Sequence, residues 1–460
     1  MGFRVLIVGG GPVGLALGIM LAKSGIDFLI LERHPNIVSE SGASITLWPH
    51  GARIFDSLGI LESAEGSYLR LRNKVTMTTD GRIRSDIPLF DWLEEHHGYP
   101  CTAFPRSRLT KVLYDGLGPE NQSKVRTGAG LEDIEVGDDG VRVRLSDGSV
   151  ETGSIVIGVD GIHSATREAM QKLAAKEGWK PDDKDGRDAL VTTFQCLYGT
   201  VWPPPEDLDI PEGVFYESHG TGRTTQLIRW EGGVHFGMFK RMPQPTQTRR
   251  PLFTAAETTA YEAEFANLHV TPKVTAGELL TRAHELERKQ NQKKTEQGEE
   301  QPYPQTWIRL VQQPEGFASR WRLGGRIALL GDAAMQVTSA AGLGLNVSLQ
   351  SAVLLANKLH AAASEATDGS PDVRTLERVL GEYETVRQAE SALVVDASAR
   401  MIRGNVWESW RAWFATEWLV PWVLGDRNIM AKVGREMVSF GRTPDCGRRT
   451  ERQGSIPWAN

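Results

Sequence analysis

The sequence has few cysteines, no excess of positive charge and no long apolar run. Its three cysteines, Cys101, Cys196 and Cys446, form no CxxC pair and no even set, which excludes a disulfide framework and is typical of the reducing cytoplasm. With 52 Lys and Arg against 58 Asp and Glu, the net charge of -6 argues against nucleic acid as a partner. The chain opens on a strand-like run, without the basic and apolar segments of a secretion signal.

The C-terminal region comes nearest to a membrane segment. Between positions 406 and 424 it contains the tryptophans Trp407, Trp410, Trp413, Trp418 and Trp422. Glu408, Arg411 and Glu417 interrupt this stretch before about 18 apolar residues accumulate, so we expect no transmembrane span. We expect the tryptophans to pack onto the body of the protein. The alternative is an interaction surface that makes the protein peripheral to a membrane or binds a partner.

The rest of the chain has the composition of a large globular protein. Its 460 residues, 40% of them hydrophobic, are enough for two domains. A strand at 4–8, a helix at 12–23 and a strand at 28–31 form a βαβ unit, which predicts a parallel sheet. From 190 to 242 alternating runs separated by Pro and Gly turns indicate an antiparallel sheet.

These patterns predict an α/β fold with three parts. The first is a discontinuous, three-layer, Rossmann-like domain made of residues 1–70, 97–180 and 310–400. The second is an inserted antiparallel β-sheet domain made of residues 71–96 and 181–309, and the third is a helical C-terminal tail, 401–460. A small hydrophobic molecule is the expected ligand, bound between the first two domains.

A glycine-rich turn at residues 9–14, GGGPVG, joins the first predicted strand to the first helix. Gly9 permits a tight turn, Gly11 lets the backbone approach a pyrophosphate, and Gly14 allows close helix packing. The N-terminus of the helix adds partial positive charge for the phosphates. Glu32 ends the second strand, where a carboxylate accepts hydrogen bonds from an adenosine ribose. Together these features predict a site for FAD or NAD(P).

Two further motifs follow, IGVDGIHSATR at residues 157–167 and a segment at 330–346 that begins LGDAA and ends GLGLN. In this order, the three motifs resemble the single-component, aromatic-hydroxylase-like (group A) flavin monooxygenases over residues 2 to about 400. The resemblance implies FAD as the cofactor, NADPH or NADH as the electron donor and O2 as the co-substrate. It also implies oxygen transfer from a flavin C4a-hydroperoxide to an electron-rich π system.

The resemblance assigns cofactor contacts residue by residue. It places the Asp332 carboxylate against a hydroxyl of FAD and the backbone N–H groups of Gly342 and Gly344 near the flavin. Asp160, which Arg167 follows in the same motif, is expected to touch both FAD and the nicotinamide nucleotide. A helix cap at Asp332 and a plain Asp-Gly turn at Asp160 are the structural alternatives.

Additional contacts complete the predicted cofactor site. Arg106 is expected against the flavin nucleotide, with Arg108 as the competing candidate. The remaining predicted contacts are Arg33, Thr46 and Leu345.

Two short segments indicate a subgroup of the flavin monooxygenases that this chain resembles. Residues 44–51, SITLWPHG, and 194–199, FQCLYG, are similar to fungal secondary-metabolite monooxygenases that epoxidise indoles or prenyl double bonds. Because many meroterpenoid members of that group have a membrane-spanning C-terminal region and this chain has none, an indole alkaloid is the predicted substrate. Prenyl-alkene epoxidation and phenol hydroxylation are the alternatives.

The predicted substrate pocket is largely aromatic. Its walls are expected to comprise Trp48, Gln195, Phe215, Phe236, Met238 and Phe239, any of which could instead belong to the core. Gln195 stands where the fungal epoxidases often have an arginine. Tyr216 is the candidate proton donor, with an ordinary strand tyrosine as the alternative.

The chain departs from the family pattern at Met335 and Ser339, where a histidine and a proline are usual. These replacements bear on substrate positioning more than on FAD binding. They motivate the alternative of a flavin-binding protein without oxygenase turnover. His163 and His235 lack metal-ligand spacing, so no metal site is expected.

Overall fold

A computed structural model describes residues 2–38, 44–176, 178, 190–230, 232–247, 252–297, 305–419, 422, 427–439 and 441–459. The strands are β1 Arg4–Val8, β2 Asp27–Leu31, β3 Ser44–Leu47, β4 Leu69–Arg70, β5 Asn73–Thr78, β6 Ile83–Ile87, β7 Thr102–Pro105, β8 Val125–Arg126, β9 Leu131–Gly137, β10 Gly140–Leu145, β11 Val150–Gly153, β12 Ile155–Gly158, β13 Val191–Val201, β14 Val214–Gly220, β15 Arg223–Trp230, β16 Gly233–Thr246, β17 Trp307–Phe317, β18 Arg322–Leu323, β19 Ile327–Leu329 and β20 Met335–Gln336. The helices are α1 Pro12–Lys23, α2 Pro49–Leu58, α3 Leu89–His97, α4 Arg106–Gly116, α5 Gly118–Gln122, α6 Ala165–Lys176, α7 Ala255–Phe265, α8 Ala276–Gln297, α9 Gly344–Glu365, α10 Val373–Asn405, α11 Trp410–Phe414 and α12 Arg427–Val438.

The first domain is built on a six-stranded sheet in the order β18-β19-β12-β1-β2-β8. Strand β1 pairs in parallel with both β2 and β12, and only β18 runs antiparallel to its neighbour. These central strands are almost wholly buried, as expected for a parallel sheet covered on both faces. Helices α1 and α9 and the antiparallel sheet β9–β11 share the same hydrophobic core. The prediction of a three-layer, Rossmann-like domain is confirmed.

The second domain is an eight-stranded sheet in the order β20-β17-β13-β16-β15-β14-β5-β6. Neighbouring strands of this sheet are antiparallel, as expected, except for β14 and β5, which are parallel. Strand β5 comes from the separate, earlier segment of the chain and runs in the same direction as β14. Strand β17 runs unbroken across position 310, the domain boundary predicted from the sequence. Helices α7 and α8 cover one face of the sheet through Phe265, Leu279 and Leu280.

The C-terminal tail differs from its prediction at the tryptophans. Trp410, Trp413, Trp418 and Trp422 are between 42% and 85% exposed, so the expected packing onto the body of the protein is wrong for them. The short α11 and the π-helical turn Ala415–Leu419 leave these side chains without a covering layer in the described part of the chain. None of the described helices is long and apolar enough to span a bilayer.

Candidate active site and cofactor cavity

The glycine turn has the backbone geometry that only glycine allows. Gly9 adopts φ +116°, and a Cβ there would lie 2.5 Å from the carbonyl oxygen of Val159. A Cβ on Gly14 would lie 2.0 Å from the oxygen of Gly9, whereas one on Gly11 would meet no heavy atom within 4 Å. Gly9 and Gly14 are therefore required by the protein itself, while Gly11 keeps open space in front of the turn.

Two helices begin at this space without a side-chain cap. The N-terminus of α1 at Gly11 and that of α9 at Leu343 receive no side-chain hydrogen bond. Side-chain caps are present on other helices, such as the Thr254 capping box on α7 and Asp372 on α10, although α2 to α5 lack one as well. Within the described residues no side chain caps the first N–H groups of α1 and α9, and because both helix starts line the cavity these groups can bind an anionic or carbonyl oxygen, which fits the pyrophosphate and ring of FAD.

The end of β2 supplies the acid expected for a ribose. The two carboxylate oxygens of Glu32 accept hydrogen bonds from the backbone N–H groups of Gly10, at 2.7 Å, and His34, at 2.8 Å. These bonds fix the carboxylate between the glycine turn and the chain after β2. Glu32, Arg33 and Thr46 all line the same cavity.

Asp160 and Arg167 organise the loop after β12. The Asp160 carboxylate accepts hydrogen bonds from the Ser164 hydroxyl at 2.5 Å and the Thr166 backbone N–H at 2.9 Å, which orders the turn before α6. Arg167 is 1% exposed and donates to the carbonyls of Ile162 at 2.8 Å and Ala333 at 2.7 Å. Because Ala333 follows Asp332, this one guanidinium ties the second motif to the third.

Asp332 faces the cavity opposite Arg106. Enclosure by the surrounding protein raises the pKa of Asp332 above its ordinary value, and the Arg106 guanidinium opposes that shift. Of the two arginines proposed from the sequence, Arg106 lines the cavity, whereas Arg108 lies over the ring of Trp230, with its guanidinium carbon 4.6 Å from the centroid. The geometry therefore favours Arg106 as the cofactor contact.

The predicted cofactor and substrate residues converge on one cavity of about 1260 Å³ between the two domains. Its lining includes Gly9, Gly11, Glu32, Arg33, Thr46, Arg106, Asp160, Asp332, Gly342, Gly344 and Leu345 on the side of the first domain, and Trp48, Phe215, Phe236 and Phe239 on the substrate side. Gly14 packs behind the turn against Gly9. This arrangement has room for a flavin and an apolar substrate side by side.

Three predicted residues do not face this cavity. Successive residues of a strand point to opposite faces of the sheet, so Tyr216 and Met238 cannot share a wall with their neighbours Phe215 and Phe239. Tyr216 and Met238 belong to the cluster under α7 and α8. Gln195 alternates in the same way with Cys196 and is absent from the lining. The assignment of Tyr216 as proton donor and of Gln195 and Met238 as pocket walls is therefore wrong.

Phe236 borders the cavity but shares the helix-covered cluster with Tyr216. A Cβ added to Gly199, its partner on β13, would lie 2.2 Å from the Cζ atom of Phe236. The aromatic ring thus occupies the space that glycine leaves free on that face. Phe236 supports the sheet beneath the cavity more than it forms an open wall.

A different tyrosine reaches the junction between the domains. The Tyr198 hydroxyl hydrogen-bonds to Ser339, and the Ser339 hydroxyl donates to Oε1 of Gln313 at 3.0 Å. Burial raises the pKa of Tyr198 well above its ordinary value, so the phenol keeps its proton at neutral pH. Ser339, one of the two departures from the family pattern, thus forms part of the cavity wall. The other, Met335, is 2% exposed in the core and lies outside the cavity lining.

The histidine on this wall is neutral. Burial lowers the pKa of His235 to about 3, and its Nδ1 lies 2.7 Å from the Thr200 hydroxyl. Its ring stacks on Trp230 with the centroids 5.7 Å apart. Within the described residues, no group of three or more His, Cys, Asp or Glu side chains is placed to hold a metal ion.

Sequence reasoning missed several polar side chains of the cavity, among them Lys74, Tyr198 and Gln226. Tyr198 shares a face with Cys196, and only the pairing of β13 shows that this face, rather than that of Gln195, borders the cavity. Lys74 stands on β5, where no motif marks it. Gln226 is recognisable as a cavity residue only from the tertiary structure, in which β15 passes the loop at Ala340. The Gln226 amide donates a 2.8 Å hydrogen bond to the carbonyl of Ala340.

Family comparison matches residues 3–179 and 247–398 to the FAD-binding domain family, and the chain belongs to that family. Over 470 residues it is 33% identical to the FAD-dependent monooxygenase srdH of Neurospora crassa, covering 100% of this chain and 99% of that protein. It is 28% identical over 397 residues to the FAD-dependent monooxygenase ausM of Penicillium brasilianum, covering 86% and 77%. The protein is an FAD-dependent monooxygenase, which confirms the predicted enzyme class and cofactor.

Solved structures share the fold. Klebsiella pneumoniae HpxO complexed with FAD and uric acid superimposes with a TM-score of 0.67 at 21% identity, covering 94% of this chain and 96% of that one. The p-nitrophenol 4-monooxygenase PnpA of Pseudomonas putida superimposes with a TM-score of 0.69 at 16% identity, covering 97% and 100%.

Proposed function

We propose that this enzyme uses NADPH or NADH and O2 to epoxidise or hydroxylate an electron-rich π system in fungal-type secondary metabolism. An indole alkaloid is the first candidate substrate, with phenols and prenyl alkenes as the alternatives. The single observation that carries the proposal is the continuous cavity, which joins the glycine turn and Asp332 to an aromatic wall formed by Trp48, Phe215 and Phe239. Bound FAD supplies electron transfer and oxygen activation.

The chain's own residues supply binding, orientation and exclusion of water. The apolar wall holds a flat substrate against the predicted flavin position and removes water from it. We propose Tyr198 as the proton donor to the oxygen of the product, since its phenol stays protonated and lies at the junction of the two domains. In the resting enzyme the Tyr198 hydroxyl donates to Ser339, which donates to Gln313, so the Tyr198 hydroxyl turns from Ser339 to the product oxygen to deliver its proton.

The test is anaerobic reduction of the purified holoenzyme by NADPH and by NADH, followed by mixing with O2. The substrate panel consists of prenylated indoles, phenols of graded pKa and prenyl alkenes, and products are identified by mass. We expect one class to accelerate flavin reduction and to yield a product heavier by one oxygen atom. A rate that rises with phenol ionisation would select the phenol alternative. Peroxide as the sole product with every compound would overturn the oxygenase proposal.

Two tyrosine variants test the proton donor in the same assay. Tyr198→Phe is expected to lower the yield of oxygenated product per NADPH by about 100-fold, the lower end of the range for a lost general acid. Tyr216→Phe is the matched control, because Tyr216 lies on the other face of the sheet. Equal yields from the two variants would contradict the role of Tyr198.

A second property is suggested by the aromatic patch, which we define as Trp410, Trp413, Phe414, Trp418, Leu419 and Trp422. These side chains are 42% to 85% exposed. The neighbouring carboxylates are neutralised, since Glu417 pairs with Arg84 at 3.2 Å and Glu408 with Arg241 at 2.8 Å. Arg411 lies over the Trp410 ring with its guanidinium carbon 5.6 Å from the centroid. Among the described residues Arg411 has no carboxylate partner, and exposed tryptophan beside such an arginine suits the interface of an anionic bilayer.

We expect the enzyme, working in the cytoplasm, to associate peripherally with such membranes. The wild type should float with phosphatidylcholine vesicles that contain phosphatidylserine. A Trp410→Ser, Trp418→Ser, Trp422→Ser variant should bind them about 100-fold less, because each tryptophan loses about 1 kcal/mol of apolar burial. Leu252→Ser with Leu393→Ser is the control, as both leucines are exposed elsewhere. A wild type that stays in solution, or that forms a dimer through the patch, would contradict membrane binding.

A further inference from the structure

A charged network crosses the substrate side of the cavity floor. Lys74, on β5, lines the cavity, and its ammonium lies 2.7 Å from Oε2 of Glu217. The same oxygen lies 3.1 Å from Nε2 of His219, and Oε1 of Glu217 accepts a hydrogen bond from the Gln226 amide at 2.8 Å. Burial opposes the charge on Glu217, but Lys74 and His219 outweigh it and hold the pKa of Glu217 below its ordinary value.

This network is anchored to the loop predicted to lie at the flavin. The Gln226 amide that donates to Glu217 also donates to the carbonyl of Ala340 at 2.8 Å. Ala340 directly precedes the turn into Gly342 and Gly344. The position of the Lys74 ammonium is thus fixed relative to that loop by a short chain of hydrogen bonds.

The ammonium retains hydrogen-bonding capacity toward the cavity. It has three N–H donors, and in the described part of the chain its single hydrogen-bonding partner is Glu217. The ring of Phe215, a cavity wall, has its centroid 5.8 Å from the nitrogen. A substrate that lies against Phe215 is therefore close enough to hydrogen-bond to the Lys74 ammonium, which Glu217 holds in place and which has little contact with water.

We propose that Lys74 is a specificity residue that binds an uncharged oxygen acceptor of the substrate, and this proposal rests on the proposed function. The acceptor is a carbonyl, hydroxyl or ether oxygen that lies away from the π bond that is oxygenated. Glu217 already balances the charge of the lysine. An uncharged oxygen gains a charge-assisted hydrogen bond there, whereas a carboxylate would meet the negative charge of Glu217. The site therefore selects oxygen-bearing aromatic molecules over hydrocarbon isosteres and over acids.

The test measures binding by the change in flavin absorbance of the oxidised holoenzyme, without NADPH. The probes are 2-acetylnaphthalene, its isostere 2-isopropenylnaphthalene, in which CH2 replaces the oxygen, and 2-naphthoate. We expect the ketone to bind about 10- to 100-fold more tightly than the isostere, the range of one charge-assisted hydrogen bond, and naphthoate to gain nothing. In Lys74→Met the ketone and the isostere should bind equally.

Two further variants keep the result interpretable. Lys74→Met leaves Glu217 buried without its cation, so Lys74→Met with Glu217→Gln removes both charges and should also lose the preference. Lys240→Met is the control, since Lys240, on β16 of the same sheet, makes a 2.6 Å but more exposed pair with Glu264 of α7 outside the cavity. A wild type without the preference, a preference retained in either Lys74 variant, or tighter binding of naphthoate would overturn the proposal. Because turnover is not measured, a Lys74-dependent preference in an enzyme that oxygenates nothing would leave this site standing while the proposed function fails.

Discussion

Gly14→Ala is expected to yield a colourless protein with at least about 100-fold weaker FAD binding. The added Cβ would lie 2.0 Å from the carbonyl oxygen of Gly9, a backbone atom that cannot move without displacing the whole turn. A shift of the turn by an ångström misplaces every N–H group aimed at the pyrophosphate. The overlap should also lower the free energy of unfolding of the apoprotein by about 1–3 kcal/mol. Flavin titration and urea unfolding measure the two effects.

Gly11→Ala is expected to weaken FAD binding without lowering the stability of the apoprotein, and so distinguishes the two effects. A Cβ on Gly11 meets nothing within 4 Å, and its φ of -71° suits alanine. The apoprotein should therefore be as stable as the wild type or more stable by a few tenths of a kcal/mol, because alanine restricts the unfolded chain. FAD binding should still weaken, since the methyl group enters the space in front of the turn. Unchanged FAD affinity in Gly11→Ala would show that the pyrophosphate lies elsewhere.

Arg167→Met is expected to reduce the free energy of unfolding by about 3–5 kcal/mol and to release FAD. The substitution fills similar volume but leaves the carbonyls of Ile162 and Ala333 without their charged donor in a site where the arginine is 1% exposed. It also removes the hydrogen bonds that connect the loop of Asp160 to the loop of Asp332, and both loops line the cofactor cavity. Loss of flavin should therefore precede global unfolding in a thermal scan that follows flavin fluorescence.

The matched control is Arg142→Met, on the outer sheet. Arg142 and Glu135 are 65% and 68% exposed and 3.8 Å apart, so solvent screens their attraction. Its loss should change stability by no more than about 0.5 kcal/mol. A similar loss of stability in both variants would show that Arg167 contributes only its charge, and would refute its role as a tie between the two loops.

Much of the cofactor side of the cavity was predictable from the sequence. The residues of the glycine turn, Glu32, Asp160 and Asp332 stand at the ends of strands of a parallel sheet, and such strand ends meet at one edge. Local spacing therefore places them together before any tertiary contact is known. That these side chains touch FAD stays a prediction, although the enzyme class and the cofactor are established.

The substrate side was much less predictable. A list of aromatic residues on β14 and β16 could not tell which face each occupies, because a shift of one residue in strand register exchanges the two faces. Pairing of β13, β16, β15 and β14 decided that Phe215 and Phe239 face the cavity while Tyr216 and Met238 face α7 and α8.

The sequence by itself determined the glycine turn and a dinucleotide site at the ends of the first strands, because those signals are local. The order of its three motifs carried the resemblance that implied the class of enzyme and its flavin. Only the tertiary structure decided the substrate wall and its chemistry. Lys74 and Glu217 come from β5 and β14, far apart in the chain, and become partners only because those two strands pair in parallel. Exposure of the aromatic patch was likewise decided by what the rest of the fold leaves uncovered, which no spacing of tryptophans encodes.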